Sequence, residues 1–137
     1  MSRLQRVEQK RAAEAWSCIQ AVSEDIDSPK FKKDYRGIVM KLPTLILTNG
    51  LGQTLAFLKS KGKNVDSNPE EKVYGDLQGW LTKPNVVNWG RVTHDELIER
   101  IMAIDSTKYR FITIESLSFL NWLKKFADAI LPKDGGE

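Results

Sequence analysis

Residues 41–61 read KLPTLILTNGLGQTLAFLKSK, the least polar run in a fairly polar chain. Asn49-Gly50 inside it is a turn signal, and two strands folding back there as a hairpin would be the usual inference. The flanks do not alternate polar and apolar residues. Leu47, Leu51, Leu55 and Leu58 instead recur at four-, four- and three-residue steps, which predicts a helix passing through the glycines. Asn49, Gly52 and Ala56 then form a small-residue face that lets another backbone approach closely. Glycine in a helix costs roughly 1 kcal/mol against alanine, so packing has to offset it. The reading on either side of this segment is also helical, with Pro43 expected to kink or restart the chain.

Upstream, Ser2 to about Glu24 reads as one long helix, with Leu4, Val7, Arg11, Ala15, Ile19, Val22 and Ile26 as its inward stripe. Arg3, Arg6 and Lys10 occupy another face. Trp16 is off the stripe, widening the buried face or docking a partner. Ser28-Pro29 is a helix start, Ser28 as the N-cap and Pro29 in the first turn. The second helix is expected from about Lys30 to Leu42, buried through Phe31, Tyr35, Ile38, Val39 and Leu42. Lys33, Gly37 and Lys41 share another side, with Arg36 adjacent. Gly37 removes bulk there, for a neighbouring helix (the commoner reason) or for a phosphate backbone.

Downstream, residues 59–68 (KSKGKNVDSN) form the clearest loop, a solvated connector or a nucleic-acid finger. Asn68-Pro69-Glu70-Glu71 starts the next helix, whose stripe is Val73, Leu77, Trp80 and Leu81. Lys83-Pro84 ends it, and Asn85 to Val92 is a connector containing Trp89. Thr93-His94-Asp95-Glu96 has the pattern of a capping box. Ser106 is expected to cap the last helix, Thr107 to Leu131, which stops at Pro132. Its apolar residues cover well over half the helical wheel, so it sits centrally or buries a second face in another subunit. The expectation is an all-α fold, a compact bundle of about six helices. It forms a single helical domain over 1–132, with a disordered tail at 133–137.

Charge is unevenly distributed. Residues 1–63 hold 12 Lys and Arg against 6 Asp and Glu, and residues 64–137 hold 9 against 12. The basic half invites a polyanion, or the two halves face each other within the fold. No apolar run approaches the roughly 20 residues that span a bilayer, and the charged N-terminus lacks a signal core. A lone cysteine, Cys18, agrees with a reducing cytoplasm and reads as a packed small hydrophobe.

Candidate catalytic groups are scarce. His94 is the only histidine, so neither a zinc site of ordinary ligands nor a histidine-based triad is readily assembled. Asn49-Gly50-Leu51-Gly52 is neither a dinucleotide fingerprint nor a P-loop. The acidic pairs Glu70/Glu71 and Asp95/Glu96 sit at helix starts, where the dipole accounts for them. The chain is read as a non-enzyme with no cofactor and no small-molecule substrate. What remains are basic faces: Lys33, Arg36 and Lys41; Lys59 and Lys61 at the lysine-rich loop; and Arg110, Lys124 and Lys125 on the last helix. Arg110 and Lys124 project to nearly one side, roughly 21 Å apart. Such cations grip phosphates without reading sequence.

The order of residues carries a resemblance as well. Lys41-Leu42-Pro43, the block Thr48 to Phe57 with Ser60-Lys61, Tyr74, Leu77 and Trp80-Leu81 all contribute. So do Tyr109-Arg110, Thr113, Glu115, Phe119-Leu120, Trp122-Leu123-Lys124 and Phe126-Ala127. Together they resemble the small α-helical subunit family of the type III-B CRISPR RNA-guided effector, the Cmr complex. Nearly the whole chain is covered, residues 85–92 excepted. The resemblance implies an all-α, non-catalytic subunit in antiviral defence, stacked in copies of itself along larger Cmr subunits. It also implies an RNA-binding role, steadying target RNA paired with guide RNA.

Overall fold

The computed structural model describes residues 3–62 and 68–133, with side chains from residue 6 onward. Ser2, the side chains of Arg3 and Leu4, the middle of the lysine-rich loop and the tail beyond residue 133 lie outside the described residues. Among the described residues there is no strand. These described residues form six helices in order: α1 Arg3–Asp25, α2 Pro29–Asn49, α3 Leu51–Gly62, α4 Pro69–Leu81, α5 Leu97–Met102 and α6 Ser106–Ile130. The all-α expectation holds.

α6 is the central element and packs against α1, α2 and α4, while α4 also packs against α2 and α3. Side chains from every helix share one core: Ile19 and Val22 from α1, Val39 and Leu42 from α2, and Leu55 and Leu58 from α3. Leu77 and Trp80 of α4, Leu97 of α5, and Phe119 and Leu123 of α6 complete it. Trp80 stacks on Phe119 with ring centroids 5.8 Å apart. Despite its central position, α6 leaves Phe111 and Ile114 exposed, at 53% and 60%.

Helix starts follow the expected chemistry in two places. The Ser28 hydroxyl accepts from the Phe31 N–H at 3.1 Å, and the Asn68 side chain accepts from the Glu71 N–H at 3.2 Å. Both are the side-chain caps that satisfy otherwise orphaned donors. At α6 the cap is Asp105, one residue before the expected Ser106; its carboxylate accepts from the Lys108 N–H at 2.8 Å. The capping box at Thr93 does not form. α5 begins only at Leu97, with Glu96 at the cap and no side-chain cap bond. Glu96 instead accepts from the Tyr74 hydroxyl at 3.0 Å and faces Lys59.

The largest correction falls in residues 41–61. α2 does not restart at Pro43 but continues through it to Asn49. Burial of Leu42 and Ile46 on either side offsets the lost hydrogen bond and ring clash. The break comes instead at Gly50, with φ 90° and ψ 159°, a region essentially reserved for glycine. The helix predicted to run through the glycines is therefore two helices, and the turn signal was the correct one. The change of direction removes Leu47 from the leucine stripe and leaves it 74% exposed, while Leu51, Leu55 and Leu58 are buried. Asn49 and Ala56 are also exposed, so the small-residue face packs only at Gly52. There the Tyr109 hydroxyl accepts from the Gly52 N–H at 2.8 Å.

Two polar networks run through the core. Glu115 is buried on α6 and receives Nε and Nη2 of Arg11 at 2.7 and 2.9 Å, together with the Trp80 indole N–H at 2.9 Å. Hydrogen bonding to Glu115 raises the Arg11 pKa further, against the lowering effect of burial. Asp76 on α4 accepts from the Tyr35 hydroxyl at 2.6 Å and from the Lys72 ammonium. Desolvation raises the Asp76 pKa, against the lowering pull of Lys72. Cys18 is buried beside this carboxylate, and burial raises its thiol far above the ordinary value.

Candidate nucleic-acid interface

The eight cations singled out from the sequence separate into two kinds. Arg36 and Lys59 are held by the protein's own carboxylates. Arg36 donates to Asp128 on α6 and is mostly buried, its Nε without a partner among the described residues. Lys59 lies 3.4 Å from Glu71 and 3.2 Å from Glu96, with its ammonium 4.8 Å from the centre of the Tyr74 ring. Burial lowers the Lys59 pKa, but the hydrogen bond to Glu96 and the charge of Glu71 outweigh it, so the net shift is upward. The Tyr74 hydroxyl, desolvated and beside the same carboxylates, is pushed up to about 12.

Lys33, Lys41, Lys61, Arg110, Lys124 and Lys125 have no carboxylate partner among the described residues. Lys61 and Lys125 lie over the rings of Phe57 and Trp122, each 6.0 Å from the centroid. The Arg36–Asp128 pair ties two of these groups together. Lys33 lies one turn before Arg36 on α2, and Lys124 one turn before Asp128 on α6. The remaining pair from the lysine-rich loop, Lys59 and Lys61, belongs to a different part of the surface, at the end of α3.

α2 carries a continuous polar side that sequence reading had only half assembled. Because the helix continues through Pro43, Thr44 and Thr48 extend the row begun by Lys33, Gly37 and Lys41 at steps of four, four, three and four residues. Lys41, Thr44 and Thr48 are exposed, and Lys33 and Gly37 half-buried. The row is roughly 22 Å long at 1.5 Å per residue. α2 has one carboxylate, Asp34, and Lys30 holds it at 2.7 Å. A Cβ added at Gly37 would meet nothing within 4 Å. The gap beside Gly37 is therefore not filled by a packed helix, the commoner expectation, and the helix backbone there is open to outside approach. The signal for this extension is the pair of threonines, which join the face only because the helix continues through Pro43.

The question whether basic and acidic halves neutralise each other also resolves residue by residue. Arg11 meets Glu115, Arg36 meets Asp128, and Lys59 meets Glu71 and Glu96. Lys33 and Lys41 are among the cations that this internal pairing leaves over, with Lys61, Arg110, Lys124 and Lys125. Among the described residues no cluster of His, Cys, Asp and Glu has the arrangement of a metal site, and no helix is long and apolar enough to cross a membrane.

Residues 7–130 match the family model of the CRISPR-associated protein Cas_Cmr5. The chain belongs to the Cmr5 family. Cmr5 relatives include the CRISPR system Cmr subunit Cmr5 of Thermus thermophilus, 32% identical over 98 residues, 72% of this chain and 75% of that protein. The subunit of the same name from Thermotoga maritima is 31% identical over 117 residues, 83% of this chain and 77% of its own. The crystal structure of a CRISPR-associated Cmr5 family protein, also from Thermus thermophilus, superposes with a TM-score of 0.72 at 25% identity. It covers 92% of this chain and 98% of that one. Membership in the Cmr5 family and the all-α bundle are thus supported together, by sequence and by fold.

Proposed function

We propose that this chain is a non-catalytic subunit of a CRISPR Cmr effector complex, and that the outward side of α2 lies along an RNA phosphate backbone. Its relatives are Cmr subunits by name, which supports other Cmr components as partners. The observation that carries the RNA reading is the α2 row Lys33, Gly37, Lys41, Thr44 and Thr48. It offers cations and hydroxyl donors at helical spacing, an open backbone at the glycine, and no unneutralised carboxylate on its helix. Side chains of this kind bind phosphates without reading bases and confer salt-dependent affinity. The non-catalytic reading rests on the scarcity of reactive groups, with one histidine and a single cysteine whose thiol burial holds protonated. A cytoplasmic location accords with that reduced, buried cysteine.

The test is target-RNA capture by the assembled complex carrying Lys33→Ala and Lys41→Ala, measured across salt concentrations. Losing two phosphate contacts makes the slope of log affinity against log salt shallower by about one to two. An unchanged slope removes α2 from the interface.

A second reading, a structural module without RNA contact, is favoured by the exposed apolar residues Trp16, Leu47 and Ile114. Crosslinking the assembled complex separates the two, because the structural reading predicts protein but no RNA attached to this subunit.

A further inference from the structure

The connector between α4 and α5, which neither the helical reading nor the resemblance covered, forms one wall of a groove of about 810 Å³ against the start of α6. That volume lies within the range of small-ligand sites. Val86, Val87 and Phe111 supply its apolar surface, and Asn85, Thr107 and the Asn88 side-chain NH2 supply neutral hydrogen-bonding groups, the Asn88 side-chain oxygen accepting from the Gly90 N–H at 3.0 Å. The connector is fixed rather than slack. Trp89 is buried, its indole N–H donates to the Leu81 carbonyl at 3.0 Å, and the Arg100 guanidinium lies 5.2 Å from its ring centre. Asn85 and Gly90 turn the chain with φ of 71° and 62°. Lys108 crosses the groove to donate to the Asn88 carbonyl. The one carboxylate in the lining, Asp105, is engaged in capping α6. Arg110 and Arg91 are exposed next to the lining residues Phe111 and Gly90 in sequence.

We propose that this groove receives the base of a single unpaired nucleotide, stacked on the exposed ring of Phe111. Asn85, Asn88 and Thr107 face the base edge, and Lys108 and Arg110 sit on the phosphate side. The fit is chemical. An exposed aromatic ring beside cations is the arrangement with which proteins hold unstacked bases, and neutral amides and a hydroxyl match a base edge better than a charged ligand. An apolar side chain of another protein would leave the amides and Thr107 unsatisfied. The proposal rests on the RNA-contact reading but uses a different surface from the α2 row.

The test compares two probes of equal length with the full-length chain: single-stranded decauridine and an abasic strand with the same phosphates. Base stacking on an aromatic residue changes affinity by roughly fivefold to more than a hundredfold. Decauridine is therefore expected to bind at least fivefold tighter than the abasic strand. Phe111→Ala should erase that preference and Phe111→Tyr should keep it. Since Phe111 is largely exposed, both variants are expected to retain the wild-type melting temperature. Lys33→Ala with Lys41→Ala should weaken both probes equally. Equal binding of the two probes by the wild type, or a preference that survives Phe111→Ala, overturns the base site while leaving phosphate contact standing. Failure of the chain to bind either probe at any salt concentration also overturns the base site, whereas RNA contact by the α2 row is decided by the salt slope of the assembled complex.

Discussion

Two charged regions of this molecule have opposite fates. At the centre, Arg11 and Glu115 approach within 2.7 Å in near-complete burial, and the carboxylate also receives the Trp80 indole. On the outer side of α2, Lys33 and Lys41 have no carboxylate partner among the described residues. The first arrangement fixes how α1, α4 and α6 meet. The second contributes little to folding and remains available to something outside. Burial decides between them. A charge removed from water must be matched by hydrogen bonds and an opposite charge or it destabilises the fold by several kcal/mol, whereas an exposed lysine is solvated wherever it points.

The widest gap between the two regions should appear on replacing Glu115 by Gln. Arg11 would keep only Glu8, 2.7 Å away and 55% exposed, as a counter-charge, so the loss is expected to reach at most about 3–5 kcal/mol. Urea denaturation of the full chain checks this. A loss below about 1 kcal/mol, the ceiling for an exposed pair, would mean that the network is no more demanding than a surface pair, and the contrast would fail.

The next largest effect is expected in the backbone. Gly50→Ala places a side chain at φ 90° and ψ 159°, so a loss of about 1–3 kcal/mol is expected from strain. The nearest atom to the new Cβ is the Tyr109 hydroxyl, at 3.7 Å, which leaves room. The cost would therefore be conformational, and a melting temperature equal to wild type would show that α2 and α3 can join without the break. Gly37→Ala is its counterpart on the open side of α2, where the helix is regular. Alanine there should be neutral or stabilising by up to about 1 kcal/mol.

These two glycines also show how far the sequence was legible. Helix number, the Ser28 cap, the helix start at Asn68-Pro69 and the inward stripes of α1 and α4 are readable because each is a local pattern. The break at Gly50 was misread because leucine spacing continues across it. Periodicity records which residues are apolar but not whether the axis turns between them. Arg11 was placed correctly on the inward stripe of α1, yet nothing local named its partner, 104 residues away. The same holds for Arg36 and Lys59, whose carboxylates arrive from α6, α4 and the start of α5. A sequence shows how many cations there are. Only the fold shows which of them are already neutralised. The groove at residues 85–92 was unreadable for a related reason, since irregular backbone has no period.

Asp76 sharpens the comparison from within the core. Desolvation raises its pKa above the ordinary 3.8, so folding favours its protonated form. The folded state then holds more protons than the unfolded state just above pH 3.8, and stability falls as pH rises through the folded-state value. Asp76→Asn should remove that part of the decline while still accepting from the Tyr35 hydroxyl. Denaturant midpoints between about pH 4 and pH 7 are expected to vary less in the variant than in wild type. An identical pH profile would show that Lys72 compensates fully for burial.

The smallest effect on folding, and the most informative for function, is expected from Lys33→Ala with Lys41→Ala. Neither lysine has an ion-pair partner among the described residues, so the pair of changes should alter unfolding free energy by no more than about 0.5 kcal/mol per site. Loss of RNA capture by such a variant could not then be attributed to unfolding. Arg36→Ala is the necessary contrast on the same helix. It removes the Asp128 bond and a largely buried stem, and should lower stability measurably before any RNA is added. If the lysine variant lost stability like the arginine variant, the α2 row would belong with the internal charges. If it kept its stability and lost its salt dependence, the row would be the surface that the fold leaves free for a polyanion.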